Sequence, residues 1–230
     1  MTAIDQQIVE SRQRVFAASE FVAQAITREP DLLDSLVHQN KLLGSYVEGE
    51  LAQLLRQYLV QVDNKQQLYT ALRQFRRYQM VRIIWRDLAG WATLGETFED
   101  LSALADACVV QALDLLHAWQ VQELGCPEDN AGKSQQLIVL AMGKLGAREL
   151  NLSSDIDLIF AFTEHGVVRT ASGKNSKIDS SQFFQRLAQQ LVYALQQILP
   201  EGFVFRVDTR LRPFGDSGPL VCNLRTLEDY

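Results

Sequence analysis

Apolar positions in the first half of the chain recur three and four apart, the period of a helix with one buried face. Val15, Phe16, Phe21, Val22 and Ile26 follow this spacing, with Ser19 among them, and Glu29-Pro30 ends the element. Asp31 is placed to cap a short helix carrying Leu32, Leu33, Leu36 and Val37. A third helix is predicted over residues 47–58. A fourth covers 66–89, where Leu68, Leu72, Phe75, Met80, Ile83, Ile84 and Leu88 form an apolar stripe. A fifth covers 97–124 and is ended by Gly125 and Pro127. For the arginines between Arg73 and Arg86 the plain alternative is a solvated face with ion pairs, and the sequence does not say what they touch.

The pattern changes at 126–135, where Pro, Gly, Asn and Asp gather as in a linker. Residues 137–142 are a continuous apolar run suited to a buried strand, and 158–162 are a second. Residues 164–180 are polar and contain Gly and Ser, which predicts a surface loop. Asp179, Ser180 or Ser181 can cap a helix over 182–199, with Phe184, Leu187, Leu191, Leu195 and Ile198 on its buried face. Pro200-Glu201-Gly202 then turns the chain into a third strand, 203–208, whose apolar face holds Phe203, Phe205 and Val207. The predicted fold class is α+β. A helical N-terminal region, residues 1–130, precedes a small mixed-sheet core, residues 131–230. No internal repeat is evident.

Composition narrows the class. The 230 residues are 47% hydrophobic and 22% charged, which supports a packed core without disulfides or structural metals. A net charge of -6 argues against a dedicated nucleic-acid binder. Cys108, Cys126 and Cys222 are scattered and lack CxxC spacing, and His38, His117 and His165 are equally dispersed. Neither set predicts a metal cluster. Met1-Thr2-Ala3-Ile4-Asp5 has no signal-peptide character, and the apolar runs read as too short for a bilayer. The expectation is a cytoplasmic protein with no membrane and no nucleic-acid partner. Met1 reads as a natural start. The ending at Thr226-Leu227-Glu228-Asp229-Tyr230 carries no cap signal and reads as a cut through something longer.

The chemistry gathers in the second half. Asp155 and Asp157 are two apart at the start of a strand, so both carboxylates face one way while Ile156 and Leu158 face the core. Two like charges at the end of a buried strand call for a cation, and hard carboxylate oxygens suit Mg²⁺. The alternative is a pair of solvated acids at a strand edge. Gly143-Lys144-Leu145-Gly146 follows the preceding strand. Its glycines allow the backbone near an anion, and Lys144 supplies charge. The alternative is an ordinary strand-to-helix turn, since the P-loop spacing is absent. Asp208 ends the third strand and would complete a three-carboxylate metal site. Arg210 and Arg212 follow it and suit phosphate clamping. The alternative is an ion pair between Asp208 and one of these arginines.

Met142-Gly143-Lys144 followed by Asp155-Ile156-Asp157-Leu158 resembles the signature of the DNA polymerase β-type nucleotidyltransferase superfamily. It departs from that signature at Lys144, where the superfamily carries a small hydroxyl residue or glycine. The longer strings are Gly143-Lys144-Leu145-Gly146, Glu149-Leu150-Asn151, Ser153-Ser154-Asp155-Ile156-Asp157-Leu158-Ile159-Phe160 and Val207-Asp208-Thr209-Arg210-Leu211-Arg212-Pro213-Phe214-Gly215. They closely resemble the glutamine synthetase adenylyltransferase family. Leu72-Arg73-Gln74-Phe75-Arg76-Arg77, Met80-Val81-Arg82-Ile83, Arg86-Asp87-Leu88 and 101–107 extend the likeness upstream, over essentially the whole chain.

The resemblance implies a polymerase β-like core running short at its C-terminal end. It also implies a longer, bifunctional enzyme. One unit removes AMP from a tyrosine of adenylylated glutamine synthetase with inorganic phosphate, and a second adds AMP from ATP. The string here is similar to that of the N-terminal, removing unit. Carried over, Asp155, Asp157 and Asp208 hold Mg²⁺ and catalyse. Gly143, Lys144, Ser154, Arg210 and Arg212 contact phosphate or adenine nucleotide. A PII-type signalling protein and glutamine are implied as regulators. The adenylylating reaction, a catalytically inactive regulatory binding module and a helical interaction domain remain the alternatives.

Overall fold

A computed structural model of the chain describes residues 3–38 and 41–230. Residues 1–2 and 39–40, and the side chains of residues 3–5 and of His38, lie outside the described residues, and with them the expectations that fall there.

Helices come first. Where one element is expected, α1 (Ala3–Ala18) and α2 (Glu20–Arg28) form two. Ser19 leaves helical geometry, and its Oγ accepts from the Val22 amide at 3.3 Å, so it caps α2. A serine lying between apolar positions hides this break from the periodicity. α3 (Pro30–His38) opens on Pro30, whose fixed φ and missing N–H suit a first helical position. Asp31 therefore lies inside the first turn and is not the cap. α4 (Glu50–Tyr58) starts later than expected, after Gly49 in left-handed geometry. α5 (Lys65–Ala89) is capped by Asn64, whose Oδ1 accepts from the Gln67 amide at 3.0 Å, and is closed by Gly90. α6 (Leu94–Leu124) gains a turn over the expected start because Thr93 caps it.

α6 is long and apolar enough, by length and composition alone, to cross a membrane, contrary to the reading of the apolar runs. More than half of its most apolar window is buried inside the fold, as in a core helix. Leu68, Leu72, Val81 and Trp85 of α5 and Leu104 and Leu116 of α6 are fully buried. Each such leucine contributes about 1.5–3 kcal/mol relative to exposure.

Three arginines of α5 rule out the solvated-face alternative. Arg73, Arg82 and Arg86 are at most 2% exposed. A guanidinium carries five fixed donors, and here most of those used go to backbone carbonyls. Arg82 donates to the Lys41 and Gly44 carbonyls at 2.8 and 2.6 Å and pairs with Asp100 at 2.8 Å. Arg86 holds the Leu42 and Leu43 carbonyls and Glu96. Arg73 reaches Ala194, Gln197 and Gly202 and so ties α5 to the second half of the chain.

The second half contains β1 (Cys126–Asp129), β2 (Ile138–Met142), α7 (Gly143–Gly146), β3 (Ile156–Phe162), β4 (Gly166–Arg169) and β5 (Asn175–Asp179). α8 (Ser180–Gln196), β6 (Val207–Asp208), a short 3-10 turn at Gly215–Ser217, β7 (Val221–Asn223) and α9 (Leu224–Asp229) follow. β2 pairs antiparallel with β3, and β6 and β7 both pair parallel to β3. This is the expected mixed sheet, and with the helices it makes the fold α+β. β2 is an edge strand, so Leu140 and Met142 are 36% and 37% exposed where burial is expected.

A second, antiparallel sheet in the order β1-β4-β5 replaces the expected linker and surface loop. α8 packs between the sheets on Phe183, Phe184, Leu187 and Leu191, and the Asp179 side chain caps it at 2.8 Å. It ends at Gln196, so Ile198 turns outward, 73% exposed. Only Val207 and Asp208 of the expected third strand pair with β3. The chain before them bends over α8, where the Val204 and Phe205 amides both donate to the Leu195 carbonyl. That bend buries Val204 and leaves Phe203 partly open, breaking the expected alternation.

Candidate active site

The sheet pairing brings the acidic residues together. Asp157 on β3 is in register with Asp208 on β6 and, on its other side, with Met142 of β2. Residues aligned across a sheet point to the same face, and neighbouring strands are ~4.8 Å apart. Asp155 immediately precedes β3 and is exposed. It reaches the same end of the sheet one pleat earlier, as strand periodicity predicts.

Gly143 lies against this cluster. Its φ is +54°, and a Cβ built there would meet Asp157 Oδ2 at 2.4 Å. The backbone at the β2-α7 junction thus touches the carboxylate, which only glycine permits. A Cβ on Gly146 would meet the Ala141 carbonyl oxygen at 2.5 Å, so the second glycine of the string closes the α7 turn onto β2.

Charge around the cluster is uneven. Burial and the negative charges of Asp155 and Asp208 push the Asp157 carboxyl above the ordinary range, partly offset by Arg210 and Lys144. Asp208 goes the other way, to about 2, because the Arg210 side chain and then its backbone amide donate to it. The amide bond is 2.8 Å, and Arg210 Nε lies 3.0 and 2.9 Å from the two carboxylate oxygens. The ion-pair alternative for Asp208 is therefore present. Arg210 also lies close enough to Asp155 to feel its charge. Arg212, by contrast, is tied to its own loop through Thr209 at 2.8 and 2.9 Å and Asp216 at 3.5 Å, with its Nε unpaired. Lys144 reaches Ser154 Oγ at 3.4 Å and, among the described residues, forms no ion pair with a carboxylate.

Carboxylate oxygens are the donor type that a hard divalent cation takes. Asp157 carries the repulsion of two negative neighbours, which a cation relieves. Among the described residues, no group of three or more His, Cys, Asp or Glu side chains is arranged to hold a metal ion. The third carboxylate is engaged with Arg210.

Two further groups shape the site without a sequence signal of the kind used above. Asn151 organises the loop ahead of Asp155. Its Oδ1 accepts from the Ser153 amide at 3.2 Å and from Ser154 Oγ at 2.8 Å. Asn followed two residues later by Ser is an Asx-turn signal that could have found it. Arg148 is in the left-handed region at φ 59° and donates to Glu99 and to Asp106 of α6, the latter at 2.7 Å. The Leu150 amide donates to Ser102 of α6 at 3.3 Å. The loop between α7 and β3 is thus hung from α6 at both Arg148 and Leu150.

The chain was compared with known proteins. A family model described as glutamate-ammonia ligase adenylyltransferase matches residues 9–230. A protein of Nitrosococcus oceani is 50% identical over 217 residues, covering 94% of this chain and 22% of its own length. Proteins of Pseudomonas aeruginosa and Shewanella oneidensis are each 46% identical over 231 residues, covering 100% of this chain and 23% of their own length. All three are named bifunctional glutamine synthetase adenylyltransferase/adenylyl-removing enzyme. The chain spans 22–23% of the length of these curated relatives. With the family model covering nearly all of it, the chain belongs to the glutamate-ammonia ligase adenylyltransferase family.

Proposed function

We propose that this chain carries a nucleotidyltransferase site that removes AMP from a tyrosine of adenylylated glutamine synthetase by phosphorolysis. The observation that carries the reading is the convergence of Asp155, Asp157 and Asp208 at one end of the mixed sheet, with the Gly143 backbone against Asp157. Of the two activities in the relatives' name, the removing one is favoured by the likeness of the Gly143–Asp157 string to the N-terminal unit of that family. The carboxylates themselves serve either direction, by microscopic reversibility.

In the reaction, a phosphate oxygen attacks the phosphorus of the adenylyl group. The bond from phosphorus to the tyrosine oxygen breaks, the tyrosinate takes a proton, and ADP is formed. Phosphate is already ionised near neutral pH, so no strong base is required. The leaving tyrosinate, with a conjugate acid near pKa ~10, is the costlier charge. Asp155, Asp157 and Asp208 would hold Mg²⁺, which neutralises phosphate charge and stabilises the leaving oxygen when bound. Lys144, which forms no ion pair among the described residues, offers its ammonium to phosphate oxygens. Arg210, released from Asp208, can donate its fork to a phosphate. Gly143 keeps the backbone low enough for Asp157 to stay in place, and Ser154, held by Asn151, presents a hydroxyl beside Lys144. Arg212 acts on the loop that carries Arg210.

A second reading is a regulatory binding module without catalysis. The Arg210–Asp208 pair favours it, since the guanidinium occupies the third carboxylate. Incubating adenylylated glutamine synthetase with the full chain, phosphate and Mg²⁺ separates the readings. Phosphate-dependent ADP supports removal. AMP transfer from ATP to the unmodified protein, without ADP formation from the modified one, assigns the adenylylating direction. Neither product supports the binding module.

A further inference from the structure

α2, α5 and the turn after α8 enclose a cleft of about 260 Å³, away from the carboxylate cluster. Arg28, Arg73, Arg76 and Arg77 line it, against Glu29 and Glu201. Two of these arginines are engaged. Arg73 spends its donors on backbone carbonyls, and Arg77 pairs with Glu29. Arg76 is different. Among the described residues it has no carboxylate partner and no hydrogen-bond acceptor, and its Nε is buried. Arg28 is likewise without an acceptor.

What surrounds Arg76 is aromatic. Its guanidinium carbon lies 5.7 Å from the centre of the Phe21 ring, 5.2 Å from Phe203 and 6.0 Å from Phe205. Ring faces attract a cation, yet they give its N–H groups no directed acceptor. Arginine stays protonated in proteins. Arg76 Nε is buried without an acceptor while the outer nitrogens open into the cleft, so an arriving oxyanion finds directed, charge-assisted donors there. On its other side Arg76 lines a smaller cavity with Asn151, Ser153 and Ser154, the loop that leads into Asp155.

We propose that this cleft binds a small oxyanion, a phosphate or a carboxylate, with Arg76 as its principal contact and Arg28 supplying a second positive charge. The site is independent of the reaction proposed above. Through Arg76 it adjoins the loop that positions Asp155.

The test uses the full chain in EDTA, so that no divalent ion draws phosphate to Asp155 and Asp157. Inorganic phosphate and malonate are titrated separately by calorimetry at constant ionic strength, each with a parallel thermal melt. At least one is expected to bind saturably at one site, and the one that does identifies the ligand as a phosphate or a carboxylate. Arg76→Gln should weaken that binding by about tenfold or more and abolish the rise in Tm that the anion produces. Without anion, Arg76→Gln loses the ring contacts and should melt slightly lower than wild type, so the anion titration and not the resting Tm decides. Arg76→Lys keeps the charge but loses the planar fork, so it should weaken binding several-fold even if Arg76→Gln fails to fold. The proposal is overturned if neither anion saturates or if both Arg76 variants bind as wild type. It is also overturned if binding is lost in Arg210→Gln instead. A lower Tm for Arg76→Gln with unchanged anion binding would mark a structural cation–ring anchor and equally overturn it.

Discussion

Replacing Gly143 by alanine adds one methyl group where β2 passes into α7. The methyl would sit 2.4 Å from Asp157 Oδ2. A relaxed carbon–oxygen contact is about 3.3–3.6 Å, so the carboxylate must retreat by roughly 1 Å. Misplacing a reacting group by ~1 Å costs on the order of 10²-fold in rate. The backbone cost is separate. Alanine held at φ +54° loses about 1–2 kcal/mol relative to glycine. Gly143→Ala is therefore expected to lower ADP release from adenylylated glutamine synthetase about 100-fold, with urea unfolding reporting a loss of only about 1–2 kcal/mol. Gly146→Ala is the control, because its methyl meets a backbone carbonyl that has no rotamer to escape into. It should cost more stability than Gly143→Ala does. Wild-type turnover in Gly143→Ala would refute the reasoning, as would a rate loss fully accounted for by unfolding.

Other consequences follow from the helical half and its ties to the site. Arg82→Ala leaves Asp100 and the Lys41 and Gly44 carbonyls without their buried partner, so equilibrium denaturation should show a loss of about 3–5 kcal/mol. Burial beside Phe183 pulls the His117 pKa below its ordinary value. The unfolded chain then binds more protons than the folded one near pH 6, so stability is complete above about pH 6.5 and falls as pH drops through that range. His117→Gln should flatten this slope in a pH series of urea melts. Arg148→Gln removes exposed pairs with Glu99 and Asp106, which are worth about 0–1 kcal/mol. Its expected signature is a fall in turnover of about tenfold with a change in Tm near zero, since the loop to Asp155 loses its hold on α6.

Elements governed by local chemistry were legible in the sequence. The α5 stripe and the Asp179 cap of α8 need only nearby residues, and both stand where the periodicity and capping rules place them. The antiparallel sheet was not legible. Its pairing joins Cys126–Asp129 to Gly166–Arg169 across β2 and β3, and its strands are short and polar enough to read as linker and loop. The split at Ser19 was hidden because a capping serine can occupy a position inside an unbroken apolar period. The contacts of the buried arginines of α5 were not legible because charge alone does not reveal backbone carbonyls arriving from distant loops. In the site, period-two spacing placed Asp155 and Asp157 together and suggested Asp208. Arg148 and the Arg210 clamp on Asp208 depend on tertiary approach, which no spacing rule encodes.

The most direct measurement is a crystal structure of the full chain soaked with Mg²⁺ and ADP. The expected result is a metal bound by Asp155, Asp157 and Asp208, with Arg210 moved from Asp208 onto a phosphate oxygen. ADP binding elsewhere, or Arg210 still clamped to Asp208 with no metal between the carboxylates, would contradict the assignment of this cluster as a nucleotidyl-transfer site.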